Sequence, residues 1–291
     1  VNKRLWINIG LFAFIIFLAI ILINTGKETK QELPLLSTVD QNNIVQIKVL
    51  RKELEDFIFS KQGEAWHMDS PLQFRANGSR INAMLRMLNV ASRSQLNLAE
   101  VNLEAIGLAD PAIVMKLNDH EFKFGTTEAI DNYRYVLFND EIHLTNDFLY
   151  HQLMTNAAFF ADTRLLPEKM EFVSIQFPEN KIELIDGQWQ LQTLMDISPD
   201  QLKRIVFNWK NSAAISTSKY EEPETESIIK ISSANNVSIQ FVIVSTEPHL
   251  ILGRKDIGIQ YNMAGDEAKK LMLTSDVNIN EETEPVGLEL R

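Results

Sequence analysis

IVQIKV at residues 44–49 is answered by FVSIQF at 172–177, and FIFSKQGEAWHM at 57–68 is answered by IELIDGQWQL at 182–191. In these segments apolar and polar residues alternate, the period of a strand with one face buried. A Gly-containing turn precedes a tryptophan in both halves, so Trp66 corresponds to Trp189. The pattern that follows each tryptophan also recurs. Ile81, Leu85 and Leu88 map onto Leu202, Val206 and Trp209, and each set leads to a small-residue stretch, VASRS or SAAIS. Further on, YVLFNDEIHL with LYHQL matches LILGRKDIGIQY with EAKKL. Several matches in one register mark an internal duplication.

Working outward, runs such as AIVMKL, FKFG, YVLF and EIHLT are broken by Gly, Asp and Asn, which reads as strands and turns. Helices are fewer. Residues 80–92 carry Ile81, Met84, Leu85, Leu88 and Ala91 at helical spacing behind Asn77-Gly78-Ser79, which supplies a break and an N-cap. A second helix is expected over residues 146–160, with Phe148, Leu149, Leu153 and Phe159 on it. Pro167 then closes the first half. The expected fold class is α+β: an N-terminal transmembrane helix followed by two tandem similar modules of mostly antiparallel sheet with packed helices.

The transmembrane expectation rests on LWINIGLFAFIIFLAIILI at residues 5–23, nineteen residues without a charge. Helical at about 1.5 Å per residue, such a run matches the hydrocarbon core of a bilayer. Its Leu, Ile and Phe residues favour insertion by roughly 4 to 8 kcal/mol in sum, more than Asn8 opposes. The run exceeds the core of a signal peptide, and INTGKETK after it lacks a small-x-small cleavage pattern, so a retained anchor is expected. The organisation reads as anchor and flanks at 1–30, a tether at 31–43, a first module at 44–166, a second at 167–274, and an acidic flexible tail at 275–291. A short basic N-terminus before one span places the N-terminus in the cytoplasm and the later residues in the periplasm of a bacterial inner membrane.

Charge and composition exclude several functions. The chain carries -11, with about +3 in residues 1–30, so the remainder is distinctly acidic. Such a surface repels phosphate backbones, which argues against nucleic-acid partners. The absence of cysteine removes disulfides, thiolate metal sites and thiol nucleophiles.

No catalytic, cofactor-binding or metal residues are expected, and the chain is read as non-enzymatic. His67, His120, His143, His151 and His249 are scattered without the i, i+4 spacing of a zinc site. Asp119 and His120 sit in NDHEF between two strand patterns, where a hairpin turn accounts for them. There is no nucleophile elbow, Walker loop or dinucleotide fingerprint. Trp66 and Trp189 suit core anchors of each sheet better than ligand platforms. Asn77-Gly78-Ser79 and Asn236-Val237-Ser238 match glycosylation acceptors, a triplet common by chance.

EAWHMDSP, then a helix, then NLEAIGLADPAIVMKL, FKFG and YVLF resembles a bacterial family of unknown function. Its signature is a tryptophan, a Pro, a helix, a Gly-Leu-x-x-Pro element and a strand ending in Gly. Here these are Trp66, Pro71, Gly107, Leu108, Pro111 and Gly125. The second half lacks the Gly-Leu-x-x-Pro element and carries GRKDIG near its strand-end Gly. The family's members are membrane-anchored and often encoded beside auxiliary ABC transporters of the gliding-motility type. The resemblance therefore implies a periplasmic accessory or scaffold subunit of an ABC-type complex, with lipid contact through residues 5–23 and integral membrane proteins, a permease or associated subunit, as partners. The alternative is a binding module that holds a lipid or glycan between the two modules.

Overall fold

The computed structural model describes residues 3–25, 33–192, 197–235 and 237–273. The first unit contains β1 (Gln46–Arg51), β2 (Phe57–Gln62), β3 (Ala65–Ser70), β4 (Phe74–Arg75), β5 (Ser94–Asn97), β6 (Ile113–Leu117), β7 (His120–Thr127), β8 (Tyr133–Phe138) and β9 (Glu141–Asn146). They form one sheet in the order β4-β3-β2-β1-β6-β7-β8-β9-β5. The second unit contains β10 (Phe172–Gln176), β11 (Lys181–Ile185), β12 (Gln188–Leu191), β13 (Ser216–Lys219), β14 (Ile228–Ser233), β15 (Ser238–Ser245), β16 (Ile251–Arg254) and β17 (Ile259–Asn262). Its order is β12-β11-β10-β14-β15-β16-β17-β13, which is the first order strand for strand without β4. All pairings are antiparallel.

The hairpins follow from the turn residues. Asn118 (φ 50°) and Asp119 join β6 to β7, Asn139 and Asp140 (φ 49° and 61°) join β8 to β9, and Asp186-Gly187 (φ 51° and 77°) joins β11 to β12. Two-residue loops with positive φ match the twist of paired strands, and Asn, Asp and Gly tolerate that backbone best. Alternation then sends Ile47 and Val49, Phe57 and Phe59, and Ile113, Met115 and Leu117 to one buried face. Phe160 packs on Phe57 and Phe59 with ring centroids 5.3 and 5.6 Å away in edge-on geometry. Each such side chain removed from water contributes roughly 1.5–3 kcal/mol.

The α+β expectation is overturned: the protein is mostly antiparallel β, with few helices. These are α1 (Lys3–Thr25), α2 (Gly78–Leu85), α3 (Tyr150–Leu153), α4 (Pro199–Asn211) and α5 (Gly265–Leu271). Only α4 lies on a sheet with three turns. Its start is fixed by Pro199 at the first helical position and a capping box, with Gln201 N donating to Ser198 Oγ (3.3 Å) and Ser198 N to Gln201 Oε1 (2.9 Å). Trp209 on its inner face is fully buried, and its indole N–H donates to Leu271 O at 2.9 Å.

The helix expected over 146–160 is broken into α3 and a 3-10 turn at Ala157–Phe160. The polar residues explain this, because each offers the backbone a competing bond. Asp147 is drawn to Arg134, Thr155 Oγ1 donates to Gln152 O, and Asn156 accepts from Phe159 N to start a new turn. Part of the segment 31–43 read as a tether lies against the first unit. Leu36 is buried and its N–H donates to Val90 O at 2.8 Å, while Ser92 N donates to Pro34 O at 2.8 Å.

The transmembrane helix expected at residues 5–23 is overturned as well. Among the described residues, no helix is long and apolar enough to cross a membrane. The large apolar side chains described in α1 are bare, with Trp6 66% and Phe12 67% exposed. The acidic tail expected at 275–291 and Asn236 lie outside the described residues.

The segment 158–165 ties the two units together. On one side Asp162 N donates to Arg75 O (2.8 Å) and Asn77 N to Phe160 O (2.7 Å). On the other Ala214 N donates to Thr163 O (2.8 Å) and Thr217 Oγ1 to Ala158 O (2.7 Å). Buried residues from both units form one continuous apolar cluster.

Candidate functional site

Where segment 158–165 passes β3, β4 and the start of α2, the surface opens into a polar cleft of about 480 Å³. Asp162 is its hub: Arg164 Nη2 donates to Asp162 Oδ2 at 2.9 Å, and Arg75 Nε lies 3.4 Å from the same oxygen. Arg164 Nη1 also reaches Glu168 at 3.1 Å. These carboxylates hold the Arg164 guanidinium above its ordinary pKa, the hydrogen bond to Asp162 being the larger cause. Lys61 and Glu64, of opposite sign, also line the cleft, and neither has an ion-pair partner among the described residues.

Trp66 forms part of the cleft wall. It is only 8% exposed, yet its indole N–H has no hydrogen-bond partner among the described residues, unlike that of Trp209. Asn77 caps α2 by accepting from Ser79 N (3.1 Å) and Arg80 N (3.3 Å), which spends its carbonyl oxygen and leaves its amide N–H groups.

A second, more apolar chamber of about 200 Å³ shares Arg75, Asp162 and Arg164 with the first and continues across the junction to Ile239, Ile257 and Tyr261. Arg254 flanks it, bound by two parallel hydrogen bonds to Asp256 (2.8 and 2.7 Å), and that pairing holds the Asp256 carboxyl below its usual range. Burial pushes the Tyr261 hydroxyl up to about 12, so it stays protonated. No periodicity or motif in the sequence links these residues.

The histidines are dispersed over the fold. His143 alone sits in a constellation that mimics catalysis, with Ser92 Oγ 3.0 Å from Nδ1 and Glu141 Oε2 3.9 Å from Nε2. Ser92 Oγ, however, donates its own proton to Ser94 O at 3.0 Å, so it accepts from His143 and is no activated nucleophile. Among the described residues, no group of three or more His, Asp or Glu side chains could hold a metal ion. Asp119 and His120 lie in and beside the β6–β7 hairpin turn, as their setting in NDHEF implies.

Of the signature residues Gly107, Leu108 and Gly125 converge, on a packing site, while Trp66 lines the cleft. Thr126 N donates to Ile106 O at 2.8 Å, Gly107 takes φ +69°, and Leu108 is buried against Gly125. Any side chain at Gly125 would run into Ile106 O and come within 3.0 Å of Leu108 Cγ. Beside it Arg134 donates to Gly125 O, pairs with Asp147 at 2.7 Å and stacks 3.6 Å above the Tyr150 ring. Trp66 and Trp189 occupy equivalent strands, β3 and β12, and Trp189 packs on Phe172 at 5.9 Å.

Fold and cleft together define a duplicated antiparallel β-sheet protein with a polar site beside its internal junction. The chain belongs to the family described as Domain of unknown function (DUF4340), whose model matches residues 66–245. No curated protein and no solved structure matches the chain.

Proposed function

We propose that the protein is a non-enzymatic accessory or scaffold subunit of an ABC-transporter-type membrane complex, with its two β-sheet units on the periplasmic side. The observation that supports this most is α1. Its described large apolar side chains are exposed, whereas those of the sheets are buried in one core. An apolar helix without cover in its own fold requires cover from another molecule. The apolar segments of an integral membrane partner supply it. The test is purification of the tagged full chain from native membranes in mild detergent. A permease or ATPase that copurifies, and is lost when Phe12→Lys and Ile16→Lys are introduced, supports the role; a chain that runs alone overturns it.

A second reading is a binding module for a lipid or glycan held beside the junction, favoured by the two adjoining chambers that share Arg75, Asp162 and Arg164. Native mass spectrometry of the full chain tests it, with a reproducible small-molecule adduct as the expected result.

A further inference from the structure

We infer that the polar cleft beside Trp66 takes a neutral, hydroxyl-rich ligand, a saccharide, with the Trp66 indole N–H donating to one of its hydroxyls. The inference deepens the second reading above and is independent of the accessory role.

Charge decides against an anion. Arg75 and Arg164 both already face Asp162, Arg164 also faces Glu168, and Lys61 shares the lining with Glu64 without pairing to it. One unpaired cation, Lys61, remains in a lining that also carries the unpaired carboxylate of Glu64, so the cleft has no cluster of free cations to hold a phosphate or carboxylate. Polarity decides against an apolar ligand, since the cleft is lined chiefly by amides, hydroxyls and charged groups. A hydrocarbon there would strip water from them without replacing its hydrogen bonds.

What the cleft offers is unspent donors and acceptors side by side. The Trp66 N–H is a donor without a partner on a side chain more than nine-tenths buried. Asn77 retains its amide N–H groups, because only its oxygen is used in the cap. Gln41 donates to Asn89 (2.8 Å) and Asn42 to Asp40 (3.0 Å), which leaves both of their carbonyl oxygens to accept. Asn82, one turn along α2, has no side-chain hydrogen bond among the described residues and offers both functions. A sugar hydroxyl donates and accepts at once, so alternating donors and acceptors fit vicinal hydroxyls better than a group of one kind.

The experiment uses the full chain with ¹⁵N-labelled tryptophan, titrated separately with cellotetraose, chitotetraose, inorganic phosphate and sodium octanoate. The expected result is a saturable shift of the Trp66 indole resonance with at least one oligosaccharide at about 10 mM or below. By calorimetry, Trp66→Phe and Asn82→Ala should each weaken binding about tenfold, the worth of one hydrogen bond to a buried or preorganised group. Asn82 is exposed on α2, so its variant folds even if the Trp66 variant does not. A shift with phosphate alone, or an oligosaccharide response unchanged in Asn82→Ala, overturns the inference. Octanoate binding without an oligosaccharide response also overturns it while leaving the second reading intact. No response to any probe ends both.

Discussion

His143 donates from Nδ1 to Ser92 Oγ across 3.0 Å, and Ser92 passes its own proton to Ser94 O, so one buried imidazole fastens β9 to the segment that leads into β5. Burial lowers the His143 pKa, with Glu141 opposing the shift in part. The base is therefore harder to protonate folded than unfolded. Its contribution is complete above the unfolded value of about 6.5 and is lost as pH falls below that toward the lower folded value. Urea midpoints should drop from pH 8 to pH 5.5 with a slope of at most about 1.4 kcal/mol per pH unit from this group. His143→Gln should flatten that part of the profile; an unchanged profile would show that other groups carry it.

Gly125→Ala places a methyl group against the Ile106 carbonyl and Leu108. The obstruction is backbone rather than a mobile side-chain end, so relief requires the 106–108 turn to move. A loss of about 1–3 kcal/mol is expected by chemical denaturation. Gly63→Ala meets no neighbouring atom, though its φ of +61° is strained for alanine, and so should cost less, about 1–2 kcal/mol.

Arg134 and Asp147 form a pair whose side chains are 8% and 12% exposed. Arg134→Met alone strands the carboxylate and should cost about 3–5 kcal/mol. The double variant Arg134→Met with Asp147→Leu should recover most of that loss, because it removes both charges from the interior. Measured stabilities of the two singles and the double close the cycle, and strictly additive losses would contradict coupling.

The two buried tryptophans should respond differently to loss of the indole nitrogen. Trp209→Phe deletes the bond to Leu271 O and leaves part of a fully buried volume empty, for an expected loss of about 2–4 kcal/mol. Trp66→Phe deletes no hydrogen bond within the protein and should cost less. Equal losses, read from thermal or denaturant unfolding, would remove the contrast between the two sites.

Much of the strand content was legible because it is local. Asn118-Asp119 and Asp186-Gly187 announce their hairpins, alternation gives the buried faces, and the paired Trp66 and Trp189 mark the duplication that the two strand orders display. The helix expected at 146–160 failed because apolar spacing was weighed without Asp147, Thr155 and Asn156, whose side chains compete for the backbone. Composition alone made residues 5–23 a membrane span, whereas among the described residues no helix is long and apolar enough to cross one. The cleft was out of reach for a different reason: Gln41, Trp66, Asn82 and Asp162 meet only once the first unit and the segment after it have folded, and no periodicity relates them.

The strand order has a consequence for synthesis. In each unit the first strand, β1 or β10, lies between its immediate hairpin partner and a strand translated only after the intervening helix and edge strand, β6 or β14. As the chain leaves the ribosome, that first hairpin has one bare row of amide and carbonyl groups for the whole interval, a template on which another nascent copy could dock. The duplication sets up this interval twice, so a holding chaperone acting before the middle of each half emerges should raise the yield of folded protein more than one acting after release.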